Sequence, residues 1–164
     1  RERMKANSIF LTVITTMAMA VTLLCGCRDS RVYDHYESVS DEGWGRNDTV
    51  RFSVSRQFRG DYDVSLGLRF NHRYPYRDLS LILCYKVLPS GRTLSDTVLV
   101  HVLNAEGQPG GSVGITSSSI SYRVRQLNLQ EGDSLYVTVR HNMRNDQLPG
   151  ISDVGLQLAK EGDK

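Results

Sequence analysis

From Val50 onward, apolar residues recur at every second position. Val50, Phe52 and Val54 alternate with Arg51, Ser53 and Ser55, and Val64, Leu66, Leu68 and Phe70 alternate with Ser65, Gly67, Arg69 and Asn71. A period of two sends successive side chains to opposite faces of a strand, so each run predicts a strand with one buried face. The run Leu79–Leu88 is apolar at both parities, with Leu79, Leu81 and Leu83 on one side and Ile82, Cys84 and Leu88 on the other. That pattern predicts a central strand covered on both faces. Thr97–Leu103, a strand opening with Ile120, Tyr122 and Val124, the Val-rich Leu135–Met143, and a last strand through Val154, Leu156 and Leu158 complete the set. Turn residues separate them at Arg59-Gly60-Asp61, Pro89-Ser90-Gly91, Glu106–Gly111, Glu131-Gly132-Asp133 and Pro149-Gly150. Gly107–Ser119, rich in Gly and Ser, is expected as a long loop or an irregular edge. Past the first 27 residues no helix-length 3.6-residue period occurs. About seven to eight strands at this spacing predict an all-β fold, an antiparallel β-sandwich over residues 48–164.

The N-terminus follows a different rule. Ile9–Leu24 is uncharged and apolar but contains Thr12, Thr15, Thr16 and Thr22, and it is shorter than the roughly 20 residues that span a bilayer core. Behind the basic start Met4-Lys5 it reads as the hydrophobic region of a signal peptide, with Met4 as the expected initiator. Next comes Leu24-Cys25-Gly26-Cys27, which resembles the bacterial lipobox: a Leu three positions before the acceptor Cys and a small residue directly before it. Residues 1–26 are thus expected to be a cleaved lipoprotein signal peptide and Cys27 the lipidation site. Residues 27–47, polar and without clear periodicity, are expected to be the lipidated N-terminus and a short tether. Each acyl methylene stabilises membrane attachment by ~0.8 kcal/mol, so two or three chains hold a protein where one binds only marginally. The membrane, reached through this anchor, is the first expected partner.

Composition narrows the function. At 164 residues and 40% hydrophobic, the chain suits one folded domain. Residues 1–27 hold Arg1, Arg3 and Lys5 against Glu2, so the chain's 20 basic and 18 acidic residues balance over the remainder. A formally neutral body carries no nucleic-acid footprint. With Cys25 removed and Cys27 acylated, Cys84 remains alone and no intrachain disulfide forms. Its apolar surroundings predict a buried, inert thiol. His35, His72, His101 and His141 are scattered, without Cys pairs or an HExxH spacing, so no metal site and no cofactor are expected. There is no GxSxG elbow, no P-loop and no dinucleotide fingerprint, and the acidic residues Asp61, Asp63, Asp133 and Asp146 fall at turns and strand ends. The expected role is non-enzymatic.

Three stretches together resemble the gliding-motility lipoprotein family GldH of Bacteroidetes. These are Arg69-Phe70-Asn71-His72-Arg73-Tyr74-Pro75-Tyr76-Arg77-Asp78-Leu79-Ser80-Leu81; Asp96-Thr97 followed by a strand and a Gly-rich loop; and Met143-Arg144 with Leu148-Pro149-Gly150-Ile151-Ser152-Asp153-Val154-Gly155-Leu156. The chain departs from the family pattern where Phe70 separates Arg69 from Asn71, where Asp78 replaces Asn, and where Gln108-Pro109-Gly110-Gly111 lacks a Trp. It is identified as a divergent member. The resemblance implies a non-catalytic interaction component of the envelope, with other envelope or gliding-apparatus proteins as partners. Relatives in non-gliding Bacteroidales make the envelope part of that implication the firmer one. Arg28-Asp29-Ser30 has one acid near Cys27, which favours an outer-membrane anchor with the domain facing the periplasm over surface display.

Four residues of these stretches are candidate interaction residues. Pro75 fixes its own φ and holds Tyr74 extended, so Tyr74 and Tyr76 either pack onto the sheet or point outward. Arg144 and Asp153 flank the Pro149-Gly150 turn and are placed to pair across it. Asp48-Thr49-Val50, Asp96-Thr97-Val98 and Asp133-Ser134-Leu135 resemble the Asp-Ser/Thr-aliphatic O-glycosylation sequence of Bacteroidetes, which makes Thr49, Thr97 and Ser134 candidates. The same tripeptide is common where a turn enters a strand. The alternative function is a glycan-binding surface lipoprotein, with Trp44, Tyr74 and Tyr76 as a stacking platform.

Overall fold

The computed structural model describes residues 30–162; the expected signal peptide and Cys27 lie outside them. Eleven strands occur among the described residues, and no helix. Eight are five residues or longer: β1 (Arg31–Ser38), β3 (Val50–Val54), β4 (Gly60–Phe70), β5 (Asp78–Leu88), β6 (Arg92–His101), β8 (Ser118–Leu129), β9 (Ser134–His141) and β11 (Ile151–Lys160). The remaining three, β2 (Trp44–Gly45), β7 (Ser112–Val113) and β10 (Gln147–Leu148), are two-residue pieces. One sheet runs β1-β11-β4-β8-β7 and the other β3-β9-β5-β6, while β2 and β10 form a small ribbon. Every pairing is antiparallel. The all-β sandwich is the architecture the alternation predicts.

Alternation explains how the layers meet. Leu66, Leu68 and Phe70 of β4 and Val154, Leu156 and Leu158 of β11 are buried on one sheet, facing Phe52, Leu81, Leu83, Tyr85, Val137 and Val139 of the other. Fully burying an aliphatic or aromatic side chain of this kind stabilises by about 1.5–3 kcal/mol, so this shared face holds the disulfide-free domain together.

Local expectations are corrected in four strands. Arg31–Ser38, within the expected tether, is an edge strand paired with β11 in register from Tyr33↔Leu158 to Ser38↔Asp153. Its pattern escapes period-two reading because an edge strand with both faces largely open needs only Tyr33 and Tyr36 half-buried. Tyr36 fits a slot on the outer face: its ring covers Gly155 of β11 and the neighbouring Gly67 of β4, where a Cβ on either glycine would clash with it. The Arg69 guanidinium lies 4.1 Å from the same ring's centroid.

β5 is covered on one face only. Leu79, Leu81, Leu83, Tyr85 and Val87 are buried, whereas Cys84, Lys86 and Leu88 are exposed. Cys84 is therefore an exposed thiol, 3.8 Å from the Ser95 hydroxyl. The apolar residues at the second parity are those of a one-sided sheet whose outer face is mildly hydrophobic, which period counting does not separate from double coverage.

In β8 the expected row Ile120, Tyr122, Val124 is broken by a bulge. Register slips where Val64 pairs Arg125 and Ser65 pairs Arg123, so Arg125 takes the inner row in place of Val124. Arg125 then meets Asp96 of the opposite sheet at 3.3 Å, with its guanidinium 5.7 Å from the centroid of the Tyr85 ring. β6 itself starts at Arg92, five residues before the expected Thr97. Asp96 points inward from this strand, which pairs β5 on one side and forms the sheet edge on the other, a feature that discourages edge-to-edge association.

Candidate interaction site at the far end of the sandwich

Strand register sorts the loops into two groups. Arg31, Gly60, Leu88, Leu129, Ser134 and Lys160 lie at the end where the described chain begins, here the near end. Ser38, Phe70, Asp78, His101, Ser118, His141 and Ile151 lie at the opposite, far end. The first and third of the stretches that carry the family resemblance meet at that far end, together with the Gly-rich loop of the second, whose Asp96-Thr97 lies in mid-strand opposite Leu83 and Ile82.

Tyr74 is the centre of this cluster. Asn71 starts it: its side-chain oxygen accepts the Arg73 N–H at 2.9 Å and its carbonyl accepts the Tyr74 N–H at 3.1 Å, a turn that an Asn nucleates readily. The Asn71 N–H donates to the Gly150 carbonyl at 2.8 Å. Gly150, at φ +86°, lies so close to Tyr74 that a Cβ there would overlap the Tyr74 backbone. Tyr74 is buried against Phe70 and Tyr76, and its hydroxyl donates to the Asp78 carbonyl at 2.8 Å. Burial first, with Tyr76 and Asp78 beside it, pushes its pKa up, so it remains a neutral donor. Tyr76 is half-buried, Pro75 exposed.

The surrounding loops are tied to the same segment. The Arg77 carbonyl accepts the N–H groups of Val102 and Leu103 at 2.9 and 3.0 Å, and Asp78 holds the His101 ring at 2.6 Å. Met143 accepts the Ser80 N–H on its sulfur at 3.4 Å. On the other flank, Trp44 is fully buried, donates its indole N–H to the Asp48 carbonyl at 2.8 Å and meets the His141 ring edge-on at 5.4 Å. Arg46 reaches the Met143 carbonyl and lies 3.7 Å from Asp146. Burial lowers the His141 pKa, opposed by the Trp44 backbone; its Nδ1 accepts the Met143 N–H at 3.3 Å and its Nε2 has no hydrogen-bond partner among the described residues.

Between the Tyr74 segment and the Gly-rich hairpin is a groove of about 350 Å³, lined by Phe70, Asn71, His72, Tyr74, Leu103 and Ile115, among others. The hairpin closes through a Gly114 N–H to Ser117 carbonyl bond of 2.8 Å and displays Val113 at 69% and Ile115 at 105% exposure. Val113 and Ile115 are thus two aliphatic side chains held out beside an open groove. Among the described residues no three His, Cys, Asp or Glu side chains are grouped to hold a metal ion.

The candidate residues fall in different places. Tyr74 and Tyr76 belong to the cluster. Arg144 is exposed, and Asp153 accepts the Ser38 hydroxyl at 2.8 Å; no ion pair joins the two among the described residues. Thr49, directly before β3, and Ser134, the first residue of β9, are half-buried, whereas Thr97 is exposed in β6. The stacking platform of the glycan-binding alternative does not form, because Trp44 and Tyr74 are both core residues. Ile115 is the residue that sequence reasoning passes over: its one signal is an isolated aliphatic in an otherwise small and polar loop.

Comparison with known proteins agrees with the resemblance. The chain is 28% identical to the gliding motility lipoprotein GldH homolog of Christiangramia forsetii, over 94% of this chain and 96% of that protein. It is 28% identical to the gliding motility lipoprotein GldH of Flavobacterium johnsoniae, over 88% and 94% respectively. Among solved structures, a family GH115 4-O-methyl-α-glucuronidase overlaps 80% of this chain and 18% of its own at 12% identity, with a TM-score of 0.47, too distant to inform chemistry. Residues 31–158, from the first strand nearly to the end of the last, match the model of the GldH lipoprotein family, and the chain belongs to that family.

Proposed function

We propose that this protein is a lipid-anchored, non-catalytic component of the bacterial envelope that works by docking its far-end groove onto another protein of a gliding-motility or related envelope apparatus. The observation that carries the reading is the groove itself, walled on one side by the family-like Phe70–Tyr74 segment and on the other by the Gly-rich loop, with Ile115 fully exposed on it. The names of the relatives, gliding motility lipoproteins, support the setting. The lipobox-like Leu24-Cys25-Gly26-Cys27 supports attachment through Cys27, and the single acid after it supports an outer-membrane anchor with the domain in the periplasm. Of the three candidate O-glycosylation positions, Thr97 is the one whose side chain stands exposed.

A photo-crosslinking residue in place of Ile115, in cells of the native host, tests the docking. One discrete protein adduct is expected, weakened when the groove is altered by His72→Asp. No adduct from position 115, with a discrete one from exposed Leu99 on β6, moves the contact to the sheet edge and overturns the reading.

A further inference from the structure

The near end of the sandwich has its own exposed aromatic residue. Between β3 and β4 runs Ser55-Arg56-Gln57-Phe58-Arg59, in which Phe58 is 72% exposed and both arginines are exposed. The loop is nonetheless pinned. The Gln57 N–H donates to the Asp133 carbonyl at 2.7 Å, the Gln57 carbonyl accepts the Gly132 N–H at 2.9 Å, and the Phe58 carbonyl accepts the Tyr62 hydroxyl at 2.7 Å. The Arg59 N–H donates to Glu131 at 3.0 Å. A rigid backbone therefore holds an aromatic ring in water, where burial would favour it.

Its position says what covers it. Ser30 is three residues beyond Cys27, and its carbonyl accepts the Lys160 N–H at 2.9 Å. The Lys160 side chain lies over Gly60, where a Cβ would stand 2.7 Å from Lys160 Cε, and Gly60 directly follows Arg59. The point where the chain leaves for Cys27 thus adjoins the Phe58 loop. Three extended residues reach at most about 11 Å, so a lipid on Cys27 brings this end to the level of the headgroups. The carboxylates nearby already accept protein donors: Asp61 from Asn128, Glu131 from Arg59, Asp133 from Gln130 and Glu161 from Gln126. The Arg56 and Arg59 guanidinium groups meet no carboxylate among the described residues.

We propose that the loop Ser55–Arg59 rests on the membrane surface, Phe58 inserting among the headgroups while Arg56 and Arg59 meet lipid phosphates. An aromatic ring between two cations suits the bilayer interface, where the apolar body leaves water and the charges stay in it. With the anchor this makes two attachments, so the sandwich stands end-on and its far-end groove faces away from the bilayer. The proposal rests on the reading that Cys27 carries the lipid.

The test uses the full-length lipidated protein, purified from its native membrane and checked by intact mass for the lipid on Cys27. It is reconstituted in phosphatidylethanolamine vesicles with and without phosphatidylglycerol. Phe58→Trp and Ile115→Trp place reporters at the two ends, and the buried Trp44 of the parent protein supplies the background. Lipids brominated on their acyl chains should remove most of the fluorescence of the first reporter and leave the second untouched, more completely with phosphatidylglycerol present. A quencher-insensitive Phe58→Trp, or equal quenching of both, overturns the end-on contact while the confirmed lipid leaves the anchor standing. A mass showing no lipid overturns both.

Discussion

Gly150 lies against Tyr74 so closely that there is no room for a side chain between them, and it does so at a φ of +86° that glycine alone adopts without strain. This contact joins two stretches of the chain that are far apart in sequence, the Tyr-Pro-Tyr segment and the Leu-Pro-Gly-Ile turn. Gly150→Ala should destabilise the fold by about 2–4 kcal/mol, from the left-handed backbone and the clash together. Gly132→Ala separates the two effects: it has φ +82° and nothing within 4 Å of the added Cβ, and should cost only about 1 kcal/mol. Denaturant midpoints of both variants provide the check, and equal losses would remove the steric part of the account.

The slot under Tyr36 makes a second prediction. Gly155→Ala should destabilise by about 1–3 kcal/mol because its Cβ enters the Tyr36 ring. Adding Tyr36→Ala should recover part of that loss, so the double variant is more stable than the sum of the singles predicts. Strict additivity in equilibrium unfolding would show that the ring and the glycine do not share the site.

The sandwich was legible in the sequence wherever strands bury one face and show the other, as in Val50–Val54, Val64–Phe70 and Val154–Leu158. It was illegible where that condition lapses. Edge strand β1 buries little, so Arg31–Ser38 reads as a spacer. The bulge at Val124 hands the inner row to Arg125, which no period-two count anticipates. Cys84 looks buried because its apolar neighbours alternate with it rather than surround it. At the far end, the Tyr-Pro-Tyr and Pro-Gly stretches were each recognisable, but their contact through Asn71, Tyr74 and Gly150 depends on pairing between β4 and β11. The exposed Ile115 and Phe58 were invisible, since exposure is a property of the assembled loops.

The cross-sheet pair Asp96–Arg125 should be worth more than a surface ion pair, because each side chain keeps less than a third of its surface in water, 27% and 30%. A double-mutant cycle with Asp96→Asn and Arg125→Met is expected to give a coupling of about 1 kcal/mol, diminished by added salt. Below the pair, burial and the adjacent Asp96 push the Tyr85 pKa up, so the tyrosine should resist ionisation in an alkaline spectrophotometric titration. A coupling indistinguishable from zero would mean that the pair only fills space.

His141 predicts an acid-side loss of stability. Burial holds its imidazole below the ordinary value of 6.5, so the unfolded chain takes up a proton over a pH range in which the folded one does not. The contribution is complete above about pH 6.5, is lost as pH falls, at no more than about 1.4 kcal/mol per unit, and levels off below the folded pKa. Unfolding free energies measured across this window should slope upward with pH in the parent protein and less steeply in His141→Gln. Parallel slopes would place the pH dependence elsewhere.

The central claim is that a lipid on Cys27 ties this sheet-rich body to the envelope. Intact mass of the protein taken from native membranes tests it most directly. The account predicts a chain beginning at Cys27 and carrying a diacylglyceryl thioether. A free thiol at Cys27 with residues 4–26 still attached would contradict it.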